Sequence, residues 1–79
     1  MPISLLRLPD VKACTGQSRS TIYLRISQGL WPKPVRLGER AVGWPDYEVE
    51  ALVTSRIAGK DEEEIRRLVC ELEAARKAV

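Results

Sequence analysis

Residues 14–29 read CTGQSRSTIYLRISQG, and this stretch decides the fold. Gly16 is a natural end for a preceding helix, because glycine accepts the left-handed conformation of a helix C-terminus. Ser18 is a natural N-cap for a following helix, because its hydroxyl can accept a free backbone N–H. Ile22 and Ile26 lie four residues apart and predict the buried stripe of that second helix. Two short helices joined by a tight turn are the signature of a helix-turn-helix.

The first helix is predicted over PDVKACTG, residues 9–16, with Pro9 in its first turn. Val11 and Cys14 are expected to face inward. Cys14 would then be a small buried apolar residue rather than a reactive thiol. The preceding run ISLLRL, residues 3–8, fits either a short strand or a hydrophobic lead-in to this helix.

A hairpin is predicted after the second helix, over about residues 34–44. Prolines 32, 34 and 45 exclude helix here, and the segments PVRLG and RAVGW flank a turn at Gly38-Glu39-Arg40. Trp31 and Trp44 adjoin prolines at the ends of the hairpin, where a small core needs bulk. We therefore expect both tryptophans in the core.

Two more helices are predicted in the rest of the chain. Asp46 is expected to cap the segment DYEVEALVTSRIAG, whose apolar residues recur at helical spacing: Tyr47, Val49, Leu52, Val53 and Ile57. Asp61 is expected to open the last helix, with Glu64 able to complete a capping box. The sequence thus predicts a mainly α fold with a small β-hairpin, namely a winged helix-turn-helix over residues 1–59 and a C-terminal helix over residues 60–79.

The last helix leaves two alternatives for its apolar side. Five residues are spaced 3, 4, 3 and 4 apart, namely Ile65, Leu68, Leu72, Ala75 and Val79. This is an a/d seam of about two heptads, which is shorter than a secure coiled coil. The helix can pack on its own domain, or it can form a homodimer through this seam. Cys70 falls off the seam, so no disulfide is expected across it.

Charge is distributed unevenly along the chain. The 79 residues carry a net charge of +2. Residues 1–45 hold seven basic and two acidic side chains, for a net +5, whereas residues 46–79 hold six basic and nine acidic ones, for a net −3. This asymmetry indicates a front half that faces a polyanion.

Composition argues against several classes of function. The chain has no histidine, and its two cysteines, Cys14 and Cys70, are far apart, so we expect no metal site and no cofactor. No nucleophile–base arrangement is evident, so we expect neither an enzyme nor a small-molecule substrate. Without a secretory signal or an apolar run that could span a bilayer, the expected location is the cytoplasm, off the membrane.

Basic and hydroxyl side chains collect on the second helix and on the hairpin. A recognition helix over about residues 18–28 would present its first residues to base edges in the major groove of double-stranded DNA. The predicted DNA contacts are Arg19, Ser20, Thr21, Tyr23, Arg25, Arg36 and Arg40. Tyr23 has two possible uses, with its hydroxyl on a phosphate or its ring in the junction between helix and hairpin.

Residues 5–58 strongly resemble the AlpA family of prophage transcriptional regulators, small proteins of the excisionase- and MerR-like winged-helix group. The segments that carry the resemblance are LRLPDV, TG-x-SRSTIY, G-x-WPKPV-x-L and R-x-VGWP-x-x-EVEA, in this order. The resemblance implies that Arg19, Ser20, Thr21 and Tyr23 begin the recognition helix and that Arg36 and Arg40 lie on the wing. The family commonly has arginine and then an aliphatic residue after the tyrosine, whereas Leu24 precedes Arg25 here. Arg25 is the substitute cation.

Two other functions compete with a transcriptional regulator. An excisionase-type architectural factor would use the same fold to bend DNA. A protein-interaction module would use the acidic C-terminal helix as its working surface and the basic half only for solubility.

Overall fold

The computed structural model describes residues 2–78 of the chain, with side chains as far as Lys77. It contains four helices, three short strands and a final 3-10 turn within that range. In chain order they are β1 (Leu5–Leu6), α1 (Leu8–Thr15), α2 (Arg19–Ser27), β2 (Val35–Arg36), β3 (Val42–Pro45), α3 (Asp46–Ile57), α4 (Glu62–Ala75) and the 3-10 turn (Arg76–Ala78).

The turn between α1 and α2 forms as the sequence predicts. Gly16 adopts a left-handed conformation with φ of 69°, and its N–H donates to Lys12 O at 2.8 Å. Ser18 Oγ accepts a hydrogen bond from Thr21 N at 3.3 Å, which confirms the N-cap. The two helices therefore meet across a short linker, and this geometry sets the direction of α2.

The predicted hairpin is confirmed, and it belongs to a larger sheet. Three antiparallel strands lie in the order β1-β3-β2, with Leu6 opposite Trp44 and Val35 opposite Gly43. The run at residues 3–8 is thus both a strand and the entry to α1. A Cβ at Gly43 would lie 3.0 Å from Leu37 Cδ1 and 3.0 Å from Leu6 O, so glycine permits this close approach.

The start of α3 corrects the prediction for Asp46. The N-cap position is Pro45, and no side chain makes a capping hydrogen bond there. Strand β3 runs directly into the helix, and Asp46 N donates to Ser4 O at 2.8 Å. Asp46 is therefore the first helical residue. At the other end Ile57 is 82 % exposed, because α3 extends beyond the core.

One hydrophobic core joins all the helices. Its buried members are Val11, Ile22, Leu30, Trp31, Trp44, Val49, Leu52, Ile65 and Val69. Ile26 is half-buried against this core. Both tryptophans are inside, as predicted, and Trp44 Nε1 donates to Pro32 O at 2.8 Å, which satisfies its polar atom.

Cys14 is exposed, so the prediction of a buried thiol is wrong. Helix α1 lies at the surface of the core and fully buries only Val11. Leu8 and Thr15, three residues before and four after Val11, are the half-buried neighbours on that face, whereas Cys14 lies outside it. Cys70 is exposed as well.

Helix α4 packs against its own chain. Ile65 and Val69 are buried, Leu68 and Leu72 are half-buried against the core, and Ala75 is exposed. The remaining position of the predicted seam, Val79, lies outside the described residues. Asp61 caps the helix through Oδ1, which accepts from Glu64 N at 2.8 Å.

A buried ion pair ties the end of the chain to α3. Glu48 is fully buried, and it accepts hydrogen bonds from Arg76 Nε at 2.9 Å and Arg76 Nη2 at 2.6 Å. Arg76 Nη2 also donates to Lys33 O at 2.8 Å, and Lys33 N donates to a carboxylate oxygen of Glu73 at 2.8 Å. These contacts hold the segment before the hairpin against the C-terminal helix.

Candidate nucleic-acid interface

The start of α2 presents three hydroxyl groups in a connected cluster. Ser18 Oγ donates to Thr21 Oγ1 at 3.0 Å and lies 3.2 Å from Ser20 Oγ. Ser18 and Ser20 are exposed, and Thr21 is half-buried. Because Ser18 Oγ already caps Thr21 N, the hydroxyls of Ser20 and Thr21 are the ones with hydrogen-bonding capacity left for a ligand.

Arg19 and Tyr23 form a pair on one side of α2. They are four residues apart, and the guanidinium carbon of Arg19 lies 5.5 Å from the centroid of the Tyr23 ring. This is cation–π distance, and it orients the guanidinium without neutralising its charge. Tyr23 is 37 % exposed, and it lines a hollow that Val42 of the hairpin also lines.

Arg25 lies apart from that pair. It is half-buried, and its Nε has no partner among the described residues. Desolvation and the nearby charge of Arg25 both lower the pKa of Arg56, at the end of α3. Arg25 is thus close enough to Arg56 for the two charges to interact, whereas Leu24 is 56 % exposed.

The two arginines of the hairpin have different surroundings. Arg36 Nη2 donates to Glu39 O at 3.4 Å, so this guanidinium folds toward the hairpin loop. A hydrogen bond from Leu37 N to Ala41 O at 2.8 Å closes the hairpin loop. Arg40 instead lines the hollow between the hairpin and α2.

That hollow brings together predicted residues and one that sequence reasoning missed. Its volume is about 320 Å³, and its lining is Arg7, Leu8, Pro9, Arg19, Tyr23, Arg40 and Val42. Arg7 was not predicted, because it lies outside the helix and the hairpin that carry the predicted contacts. Its side chain reaches the hairpin through tertiary contacts, since β1 pairs with β3 and Arg7 Nε donates to Val42 O. Its only sequence signal is the basic bias of residues 1–45. The structure thus gathers Arg19, Tyr23 and Arg40, and leaves Arg25 and Arg36 outside.

Other kinds of site receive no support from the part of the chain that is described. Residues 2–78 contain no cluster of three His, Cys, Asp or Glu side chains that could hold a metal ion. Within the same range, no helix is both long enough and apolar enough to cross a membrane.

The fold and this surface define a small helix-turn-helix protein in which a cationic, hydroxyl-rich helix start lies beside a β-hairpin. Residues 4–57 match the family described as "Prophage CP4-57 regulatory protein (AlpA)", and the chain belongs to that family. The family is one of regulators, in agreement with the exclusion of enzyme chemistry from composition.

Two curated relatives are similar to this chain. "Uncharacterized protein ORF88" of Enterobacteria phage P4 is 47% identical over 55 residues, which are 70% of this chain and 62% of that protein. "DNA-binding transcriptional activator AlpA" of Escherichia coli (strain K12) is 33% identical over 60 residues, which are 68% of this chain and 86% of that protein. The chain therefore spans less than two thirds of the phage protein. No significant match to a solved structure was found.

Proposed function

We propose that this chain is a sequence-specific DNA-binding transcriptional regulator of prophage type. The observation that carries the proposal is the start of α2, where Arg19, Ser20 and Thr21 offer a cation and hydroxyls beside the hairpin. Arginine and hydroxyl groups are the usual donors to base edges and phosphates. Membership of a family of prophage regulators supports the same function.

In the proposed complex, α2 enters the major groove and the hairpin at about residues 34–44 is the wing. Ile22 anchors α2 in the core, so its opposite side, with Ser20 and Leu24, faces the bases. Leu24 offers an apolar contact there, of the kind that thymine methyl groups accept. Arg36 and Arg40 on the hairpin contact phosphates, and binding is strongly salt-dependent.

The test separates base reading from phosphate contact. The binding site is first obtained by selection of bound genomic fragments and sequencing. Arg19→Ala and Thr21→Ala are expected to relax sequence preference, because a lost base contact removes about 1–3 kcal/mol of discrimination. Arg40→Ala is expected to weaken binding about equally on all sequences and to lower the salt slope by about 1.

Arg67→Ala is the matched control, since it removes the same charge from an exposed position on α4. It is expected to leave both affinity and preference nearly unchanged. Equal affinity and preference for Arg19→Ala and the wild type in a gel-shift series would contradict the assignment of α2. Absence of any retardation at low salt would contradict DNA binding itself and favour a protein-interaction module.

The excisionase alternative uses the same surface and differs in where the protein binds. Footprinting distinguishes the two, because a regulator protects a promoter, whereas an excisionase protects repeated sites beside an attachment core. Bending of the bound fragment, measured by circular permutation of the site, gives a second criterion.

Homodimerisation through the α4 seam is the weaker of the two alternatives for that helix. Ile65 is 3 % exposed and packs inside its own chain, so the seam could pair with a second copy only if α4 left the core. We therefore expect a monomer in sedimentation of the full chain without DNA. A stable dimer at micromolar concentration would contradict intramolecular packing of the seam.

A further inference from the structure

Three arginines from three separate segments converge on the hollow between α2 and the hairpin. Arg7 precedes α1, Arg19 begins α2, and Arg40 ends the hairpin loop. All three are exposed. No carboxylate lines the hollow, and the ion pairs of the described residues involve other cations, namely Lys60, Arg66 and Arg76. The hollow is therefore a concentration of positive charge, and a carboxylate that lies near it is that of Asp10, whose Oδ2 accepts a hydrogen bond from Arg7 N at 3.3 Å.

Two of the guanidinium groups are held in place by neutral contacts. Arg7 Nε donates to Val42 O at 3.1 Å, and neither of its terminal nitrogens has a hydrogen bond to another of the described residues. Arg19 is held over the ring of Tyr23. Groups held in this way lose little further freedom when they bind a ligand, so the arrangement is suited to an anion.

We infer that Arg7 and Arg40 bind one and the same phosphate group of the DNA backbone, so that this phosphate bridges the start of α1 and the wing, while Arg19 beside them is left to contact the bases. The inference rests on the proposed DNA-binding function, and it adds Arg7 as a DNA ligand. The planar fork of arginine matches the geometry of phosphate oxygens, and several such forks can share one phosphate. The position of the hollow beside α2 selects a backbone phosphate over a free one.

A shared phosphate has a measurable consequence, which is non-additivity. If Arg7 and Arg40 contact the same phosphate, losing either one disturbs the contact of the other. Independent contacts would instead have additive effects on the binding free energy. Arg7→Gln and Arg40→Gln are each expected to weaken binding about tenfold. The affinity of the double variant is then expected to fall by much less than the hundredfold that additivity requires.

The decisive experiment replaces single phosphates of the selected duplex with neutral methylphosphonates, one position at a time. At one position, neutralisation is expected to weaken binding by the wild type and to abolish the effects of Arg7→Gln and Arg40→Gln, whereas the effect of Arg19→Gln on sequence preference is expected to persist. Arg36→Gln is the comparison within the hairpin, because Arg36 folds toward Glu39 O, outside the hollow. Its effect is expected to persist at that position.

Arg7 also supports the hairpin through Val42 O, so a second variant separates structure from binding. Arg7→Lys keeps the charge but has no Nε donor, and it is expected to retain the wild-type salt slope, which Arg7→Gln lowers by about 1. Equal losses of affinity and of salt slope in Arg7→Lys and Arg7→Gln would assign Arg7 to the fold alone and overturn the inference.

The remaining outcomes are equally decisive. Sensitivity of Arg7→Gln and Arg40→Gln to different phosphates, or additive losses in the double variant, would overturn the shared site while leaving DNA binding intact. Saturable binding of inorganic phosphate that Arg7→Gln abolishes, together with a flat methylphosphonate scan, would make the hollow a site for free phosphate. Failure of the wild type to bind any duplex would refute the proposed function instead.

Discussion

Replacing Arg76 with alanine is expected to destabilise the fold, because it leaves the fully buried carboxylate of Glu48 without its cationic partner. Glu48 is 0 % exposed, and it accepts two hydrogen bonds from the Arg76 guanidinium. The hydrogen bond to Glu48 raises the pKa of Arg76 above its ordinary value, despite opposing desolvation. Stability from this pair is fully present below the ordinary pKa of arginine and is lost only as the pH rises through the still higher folded pKa. The arginine therefore contributes no pH dependence near neutrality.

The expected loss is a large share of the total stability. Removing one partner of a buried ion pair costs about 3–5 kcal/mol. Because the Arg76 side chain is 21% exposed, we expect about 3 kcal/mol, at the low end of that range. A chain of this length has a total stability of about 4–12 kcal/mol. At about 4–8 °C per kcal/mol, the Tm is expected to fall by roughly 12–24 °C.

Thermal and urea unfolding, followed by circular dichroism at neutral pH, measure this effect. Arg67→Ala, an exposed arginine on α4, is the matched control and is expected to change stability by less than about 0.5 kcal/mol. A double variant, Glu48→Met with Arg76→Leu, is expected to recover most of the loss, because apolar replacement of a buried pair is near neutral. The reasoning fails if Arg76→Ala melts within about 2 °C of the wild type, or if the double variant is as unstable as the single one.

Three further predictions concern the fold. Ser18→Ala removes the N-cap of α2 and should cost about 1 kcal/mol in urea unfolding, and an unchanged midpoint would refute the cap. Ile65→Ala should cost about 2–5 kcal/mol, because α4 completes the core, whereas a negligible loss would show that the core does not need this helix. Cys14 and Cys70 should both react with a thiol reagent in the folded protein, and a single adduct by mass spectrometry would contradict their exposure.

Local signals predicted the elements near the opening stretch. Gly16 and Ser18 act within one turn of their own positions, through a left-handed backbone and a side-chain cap, so their effects can be read from neighbouring residues. The hairpin was predictable for the same reason, because prolines and turn residues also act on their own neighbours. The prediction that Cys14 is buried was wrong, because spacing along a two-turn helix defines the buried face only to within one residue. Packing against the core selected Thr15 instead.

The residues of the candidate site also fall into those that local sequence predicts and those that only tertiary contacts bring in. Arg19, Ser20 and Thr21 were predictable, because a helix start is a local feature. Arg7 was not predictable, because its side chain reaches the hairpin through tertiary contacts, with β1 paired to β3 and Arg7 Nε donating to Val42 O. Arg25 was predicted as a DNA contact by its charge, and that role stays a prediction. The structure adds that Arg25 is half-buried and that its charge lowers the pKa of Arg56 at the end of α3.

The sequence by itself determined the helix-turn-helix, the hairpin and the basic front half, since each follows from conformational preferences or charge over a few residues. Only the tertiary structure decided the third strand, the direction in which α4 buries its apolar side and the pairing of Glu48 with Arg76. A heptad seam indicates that a helix needs an apolar partner, but it does not indicate whether the same chain or a second chain provides that partner. An acidic residue in a first turn is compatible with either solvent or a buried cation. Contacts between distant segments settle both questions, because burial depends on what the rest of the chain places opposite each side chain.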